Sequence, residues 1–280
     1  MSRNNMDRLG AQQPSAAPPV EEPSQGFSFS TPTEFVDLPS RGKYYPEGHP
    51  LRGKEQAEIR FMTAKDEDIL SSKALLKNGM AIERFVKNIL ADPSINTDTL
   101  LVGDKNAILV ASRITGYGEL YEAKTVCPSC ASTSDQEYDL TSLDVYHGDD
   151  WGEYDVRPNG DNFIVTVPQT KVEVEVQLLT SRDEQYLTKL TESKKKKKMP
   201  ESNLTDQLKL IIVSVNGYDD GKSINTFVDG MPAKDSTYLR RAYEKLVPNI
   251  DLSVPFSCPS CGFEQEVSMP FTAAFFWPNR

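Results

Sequence analysis

Every cysteine of the chain falls in one of two copies of a single tetrapeptide, Cys127-Pro-Ser-Cys130 and Cys258-Pro-Ser-Cys261. The C-x-x-C spacing is the bite of a zinc knuckle, and two knuckles supply the four thiolates of a closed, tetrahedral site. With 127 residues between the copies, one shared ion would pin two distant parts of the chain to a single point. Any fold adopted by this sequence must then bring both knuckles together.

The flanking residues bear on which chemistry the spacing serves. A thioredoxin-like redox pair needs a helix N-terminus at the motif to depress a thiol pKa. Here polar or β-prone residues follow both copies, Ala131 to Tyr138 and Gly262 to Met269. Strand, knuckle, strand is the pattern of a zinc ribbon, so the expected cofactor is one structural zinc on Cys127, Cys130, Cys258 and Cys261. Iron–sulfur, redox and disulfide chemistry are the alternatives for the same spacing. Zinc held by four thiolates has no open position, so it would stabilise the fold without activating water or substrate.

Composition narrows the function classes. Of 280 residues, 38% are hydrophobic and 26% charged, as in a soluble protein with a sizeable core. No apolar run reaches the roughly 18–20 residues of a membrane span. The stretch Met1 to Gly26 has no apolar signal segment, so cytosolic synthesis is expected, where thiols stay reduced. Acidic residues outnumber basic ones 41 to 31, a net charge of −10. That is the wrong sign for duplex nucleic acid, which is not an expected partner. The one basic run, Lys194 to Lys198, reads as a solvated loop.

No phosphate-binding loop, HExxH or GxSxG is present. His49 and His147 lie in turn-rich, polar stretches. The carboxylate groups Asp66-Glu67-Asp68 and Asp183-Glu184 fall where helix first turns are expected, and there they complement the helix dipole. Asp219-Asp220-Gly221 has turn chemistry. No catalytic residue is expected.

The pattern along the chain predicts an α+β fold with two similar strand-helix-helix halves joined by a split four-cysteine zinc ribbon. Residues 1–33 are poor in large apolar groups and read as a disordered tail. Residues 34–56 form an extended arm anchored by Phe35, Leu38, Tyr44 and Tyr45. Residues 57–139 make the first half, 140–160 an acidic connector, and 161–280 the second half with an aromatic C-terminal segment.

In the first half, Glu58–Met62 alternates as a strand and Thr63 caps a helix running through Leu76. Apolar spacing places helices over Ala81–Leu90 and Val102–Ile114, followed by a strand, Tyr121–Val126. In the second half, Phe163–Val167 and Lys171–Leu179 form a hairpin, and Thr180 caps the next helix. Thr180 to Leu187 parallels Thr63 to Leu70, and Leu210 to Tyr218 parallels Leu109 to Tyr117. The amphipathic helix Ser236–Leu246 has no counterpart. Such order suggests an internal duplication.

Several of these segments also carry a likeness. Val36-Asp-Leu-Pro-Ser-Arg-Gly-Lys-Tyr-Tyr-Pro46, Phe61-Met-Thr-Ala-Lys-Asp-Glu-Asp-Ile-Leu70, Arg113-Ile-Thr-Gly-Tyr-Gly-Glu119 and the Cys-Pro-Ser-Cys motif, in that order, resemble the baseplate hub family of T4-like contractile-tailed bacteriophages. The resemblance covers most of residues 34–277. It implies a non-enzymatic structural or assembly protein of the tail baseplate, found in the host cytoplasm during assembly and then either kept in the virion as a component of the hub or released as a transient assembly factor. The aromatic segment Phe271, Phe275, Phe276 and Trp277 either packs back on the core or anchors a partner. The partners would be other tail proteins, with the Phe35–Tyr45 arm and, in the second case, the aromatic segment as docking elements. The rival is a zinc-ribbon nucleic-acid-associated factor of replication or transcription. Lys124 and no arginine near the knuckles argues against it.

Overall fold

The structure, a computed structural model, describes residues 30–77, 79–200, 202–269 and 273–276. The chain divides into two units, Met1–Thr31 and Pro32–Arg280. All regular structure of the described residues lies in the second. Most of the tail expected over 1–33 lies outside the described residues, and Thr33 opens the first strand.

Strands β1 (Thr33–Asp37) and β2 (Gln56–Arg60) pair antiparallel, with Phe35 opposite Glu58. The segment between them is held by its own chain: Leu38, Tyr45 and Leu51 are each 1% exposed. Phe35 instead points to solvent. The arm therefore packs as part of the core, and of its four expected anchors Leu38 and Tyr45 are the fully buried ones.

Helices α1 (Ala64–Ser71), α2 (Lys73–Lys77), α3 (Ala81–Ile89) and α4 (Val102–Tyr117) follow. The cap of α1 is a capping box. The Thr63 N–H and hydroxyl donate to the Asp66 carboxylate at 2.8 and 2.7 Å. The helix expected to run on through Leu76 breaks at Ser72, whose backbone is extended. Serine competes for backbone hydrogen bonds and ends helices readily. Helix α3 turns Phe85, Val86 and Ile89 inward, as its spacing predicts.

β3 (Leu120–Val126) and β4 (Thr133–Asp139) form a hairpin with the first knuckle at its tip. The short strand β5 (Val145–Tyr146) comes next. A four-stranded antiparallel sheet then takes β6 (Val156–Asn159), β7 (Asn162–Thr166), β8 (Glu173–Val176) and β9 (Ile212–Val215) in that order. Helices α5 (Ser181–Lys196) and α6 (Asn203–Ile211) lie between β8 and β9. Thr180 and Asp183 repeat the capping box at α5, at 2.9 and 2.6 Å. Lys194, Lys195 and Lys196 form the last turn of α5, not a loop, because cations suit the negative end of a helix dipole.

Helices α7 (Gly221–Gly230) and α8 (Ala233–Leu246) lead to β10 (Asn249–Ile250), which pairs with β5. Last comes the hairpin β11 (Ser253–Ser257) and β12 (Glu264–Ser268), with the second knuckle at its tip.

The correspondence of Leu109–Tyr117 with Leu210–Tyr218 does not hold. The first lies inside α4, while the second ends α6, forms β9 and turns. A different pair matches in detail. Asp104, third residue of α4, is fully buried. It accepts from the Ser40 N–H (2.9 Å), the Ser40 hydroxyl (2.5 Å) and the Tyr45 hydroxyl (2.8 Å), all in the loop between β1 and β2. Asp235, third residue of α8, is equally buried. It accepts from the Gln169 N–H (2.7 Å), the Thr170 N–H (3.0 Å) and the Thr170 hydroxyl (2.7 Å), in the loop between β7 and β8. Both α4 and α8 grip a hairpin loop with an N-terminal carboxylate.

One continuous apolar core runs from Val36 to Phe276 and takes residues from almost every element. Cys127, Phe256 and Cys258 form a second, much smaller cluster, flanked by Phe263 and Val267.

Candidate metal centre

The two knuckles share one backbone construction. In the first, the Cys127 N–H donates to the Ser132 carbonyl (2.8 Å) and the Ala131 N–H to the Cys127 carbonyl (2.9 Å). In the second, the Cys258 N–H donates to the Phe263 carbonyl (2.9 Å) and the Gly262 N–H to the Cys258 carbonyl (3.0 Å). Each turn places the residue after its second cysteine in the left-handed region, Ala131 at φ 57° and Gly262 at φ 69°. Glycine adopts this freely and alanine at a cost.

The hairpins bring all four sulfurs within 4.8 Å of one another. Contacts cross between knuckles: Cys127 Sγ to Cys261 Sγ is 3.8 Å and Cys130 Sγ to Cys258 Sγ is 3.7 Å. A disulfide needs about 2.05 Å between sulfurs. A tetrahedral ion with metal–sulfur bonds of about 2.3 Å sets sulfur–sulfur edges of roughly 3.8 Å. The donor set thus fits a four-sulfur metal site by distance. Cys127 and Cys258 are buried, and Cys130 and Cys261 are exposed.

The sulfurs also compete for protons. Cys258 is pushed down to about 6, chiefly by the Ser132 hydroxyl. The Phe263 N–H pulls Cys261 down, but Cys130, desolvation and the remaining sulfurs outweigh it and drive this thiol up to about 12. Four adjacent thiolates repel one another, and a bound cation removes that penalty. Ser132 is a neighbour of the sulfurs that spacing alone does not reveal. Its Oγ lies 3.0 Å from Cys130 Sγ and 3.4 Å from Cys258 Sγ. The only sequence signal for it is a hydroxyl two residues past the first knuckle, where the second has Phe263.

Other candidates are occupied in holding the fold. Asp66 accepts from both Arg60 guanidinium nitrogens (2.7 and 2.9 Å) and from Asn88 (2.6 Å), besides Thr63. Burial raises its carboxyl, but these hydrogen bonds outweigh that and bring it down to about 2. Asp183 caps α5, and Asp220 caps α7 through the Ser223 N–H at 2.9 Å. His49 stacks on Tyr45 at 4.2 Å between ring centres and bonds Thr99 at 2.9 Å. His147 Nδ1 donates to the Pro39 carbonyl at 2.9 Å. Both histidines brace the segment between β1 and β2.

Of the aromatic segment, Phe275 and Phe276 dock on the core of their own chain, the first of the two readings of this segment, and are not free to anchor a partner. Phe275 and Phe276 are 0% and 1% exposed and meet Tyr121 and Phe85 edge-to-face at 5.0 and 5.1 Å. Arg113, wholly buried, donates to the carbonyls of Phe275 (2.8 Å), Gly118 (2.9 Å) and Leu120 (3.1 Å). Phe271 and Trp277 lie outside the described residues. Among the described residues, no helix is long and apolar enough to cross a membrane.

No curated protein and no solved structure matches the chain. The family model described as T4 bacteriophage base plate protein matches residues 32–277. With that match spanning most of its length, the chain belongs to the T4 bacteriophage base plate protein family.

Proposed function

We propose that this family member is a baseplate hub subunit or tail assembly protein, non-enzymatic, working through contacts with other tail proteins and held in shape by one structural zinc. The observation that carries the zinc is the pair of cross-knuckle sulfur distances, 3.8 and 3.7 Å. Cys127, Cys130, Cys258 and Cys261 would hold the ion, which contributes folding free energy and no reactivity. The role at the baseplate rests on the family match over residues 32–277.

In this reading the zinc is a clasp between two halves of common design. The matched pairs Thr63–Asp66 and Thr180–Asp183, and Asp104 and Asp235 on their hairpin loops, support a duplication in a new register. Helix α8 then answers to α4. On the β3–β4 hairpin the exposed Glu122, Asp135 and Glu137 neighbour Lys124 in the strand register, and Glu264 and Glu266 add exposed negative charge on the other knuckle hairpin. Such a face repels phosphate and favours a protein partner over nucleic acid.

Two measurements test this. Metal analysis of chain purified without added zinc should return one zinc per chain, and an iron–sulfur absorption band or no metal overturns the zinc. Mass spectrometry of tails and tail intermediates from infected cells should find the chain among tail proteins. Recovery with polymerase or helicase subunits instead overturns the structural role.

A further inference from the structure

The four sulfurs are not equivalent. Cys127 and Cys258 are 1% and 2% exposed, so reagents in solution reach neither. Cys130 and Cys261 are both exposed. Each accepts a backbone N–H from the residue two positions on, Ser132 and Phe263 respectively. Only Cys130 has more: the Ser132 Oγ at 3.0 Å. A thiolate that ligates a metal carries no proton, so the hydroxyl must be the donor. The hydroxyl lies between two sulfurs and sits nearer to Cys130 than to Cys258, which is 3.4 Å away. Among the described residues, Cys261 has no side-chain donor beyond the neighbouring sulfurs.

Hydrogen bonds to a ligating sulfur withdraw electron density and lower its nucleophilicity, while an exposed thiolate without them stays reactive. We infer that Cys261 is the modification site at which the clasp opens, the one ligand open to soft carbon electrophiles, and that Ser132 shields its counterpart Cys130. In that step the Cys261 sulfur lone pair forms a bond to carbon and the leaving group departs as its anion. The thioether that remains is a far poorer donor, and the metal loses one anchor. This inference rests on the proposed zinc site.

The test uses the full-length, zinc-loaded chain and limiting iodoacetamide, with peptide mapping of all four cysteines and a colorimetric chelator following released zinc. Alkylation should appear at Cys261 several-fold before Cys130, with Cys127 and Cys258 unlabelled until zinc is released. In Ser132→Ala, labelling of Cys130 should rise to the level of Cys261, while Ser132→Thr, which keeps the hydroxyl, should behave as the parent. In the cobalt-substituted chain, Ser132→Ala should also shift the sulfur-to-metal charge-transfer band, a change that loss of packing alone does not produce. Equal labelling of Cys130 and Cys261 in the parent chain, or an unchanged pattern and band in Ser132→Ala, overturns the inference with the zinc site intact. A parent chain that purifies without zinc overturns both.

Discussion

The Asp66 carboxylate accepts from Arg60, Thr63 and Asn88 at once, so one side chain ties β2, the start of α1 and α3 together. Its depressed folded pKa, about 2, makes it a source of acid sensitivity. The contribution is fully present above the unfolded value of about 3.9 and is lost as pH falls from there through about 2. Asp66→Asn keeps the shape but removes the charge facing Arg60, and should cost about 3 kcal/mol at neutral pH by chemical denaturation. The same variant should flatten the fall in stability over that acid window. The sequence showed half of this arrangement. Thr63 with Asp66 is a local signature, readable from three residues' spacing. Arg60 and Asn88 join through strand and helix packing, which no local pattern encodes. Arg113 was equally opaque, since its three acceptors are all backbone carbonyls, one of them 162 residues away.

Helices α4 and α8 perform the same task with different neighbours. Each buries an N-terminal aspartate against a hairpin loop, so Asp104→Ala strands three buried donors and Asp235→Ala three part-buried ones. Each should lose at least about 2 kcal/mol in equilibrium unfolding. Near Asp104, α4 approaches the chain so closely that a Cβ at Gly103 would collide with the Pro248 carbonyl. Gly103→Ala should therefore cost about 3 kcal/mol, read as a lowered denaturation midpoint with an unchanged slope. Helix positions were legible because apolar spacing and caps are local. The shared aspartate–loop contact of α4 and α8 was not, because Ile212–Val215 carries the same apolar letters as a helix face yet pairs with β8 as a strand. Short apolar runs do not declare their own period, and the neighbouring strand decided it.

At the scale of the whole molecule, the large core and the small cysteine cluster divide the work. Two-stranded hairpins are marginal by themselves, and among the described residues the β3–β4 and β11–β12 hairpins share a small cluster of Cys127, Phe256 and Cys258 flanked by Phe263 and Val267. With a shared metal, Cys127→Ser and Cys258→Ser should each release it and lower the melting temperature by similar amounts. Two separable transitions, with one hairpin surviving, would mean that the knuckles do not share an ion. The large core has its own long-range closure. Phe275 and Phe276 fill a slot against Tyr121 and Phe85, and Arg113 fixes them there through the Phe275 carbonyl. Synthesis runs in one direction, so a ribosome that has made α3, α4 and β3 has not yet made the rings that complete their packing. A nascent chain holds that hydrophobic slot open until residue 276 emerges, and any product cut short before it keeps the slot as a sticky, chaperone-recognisable mark of an unfinished molecule.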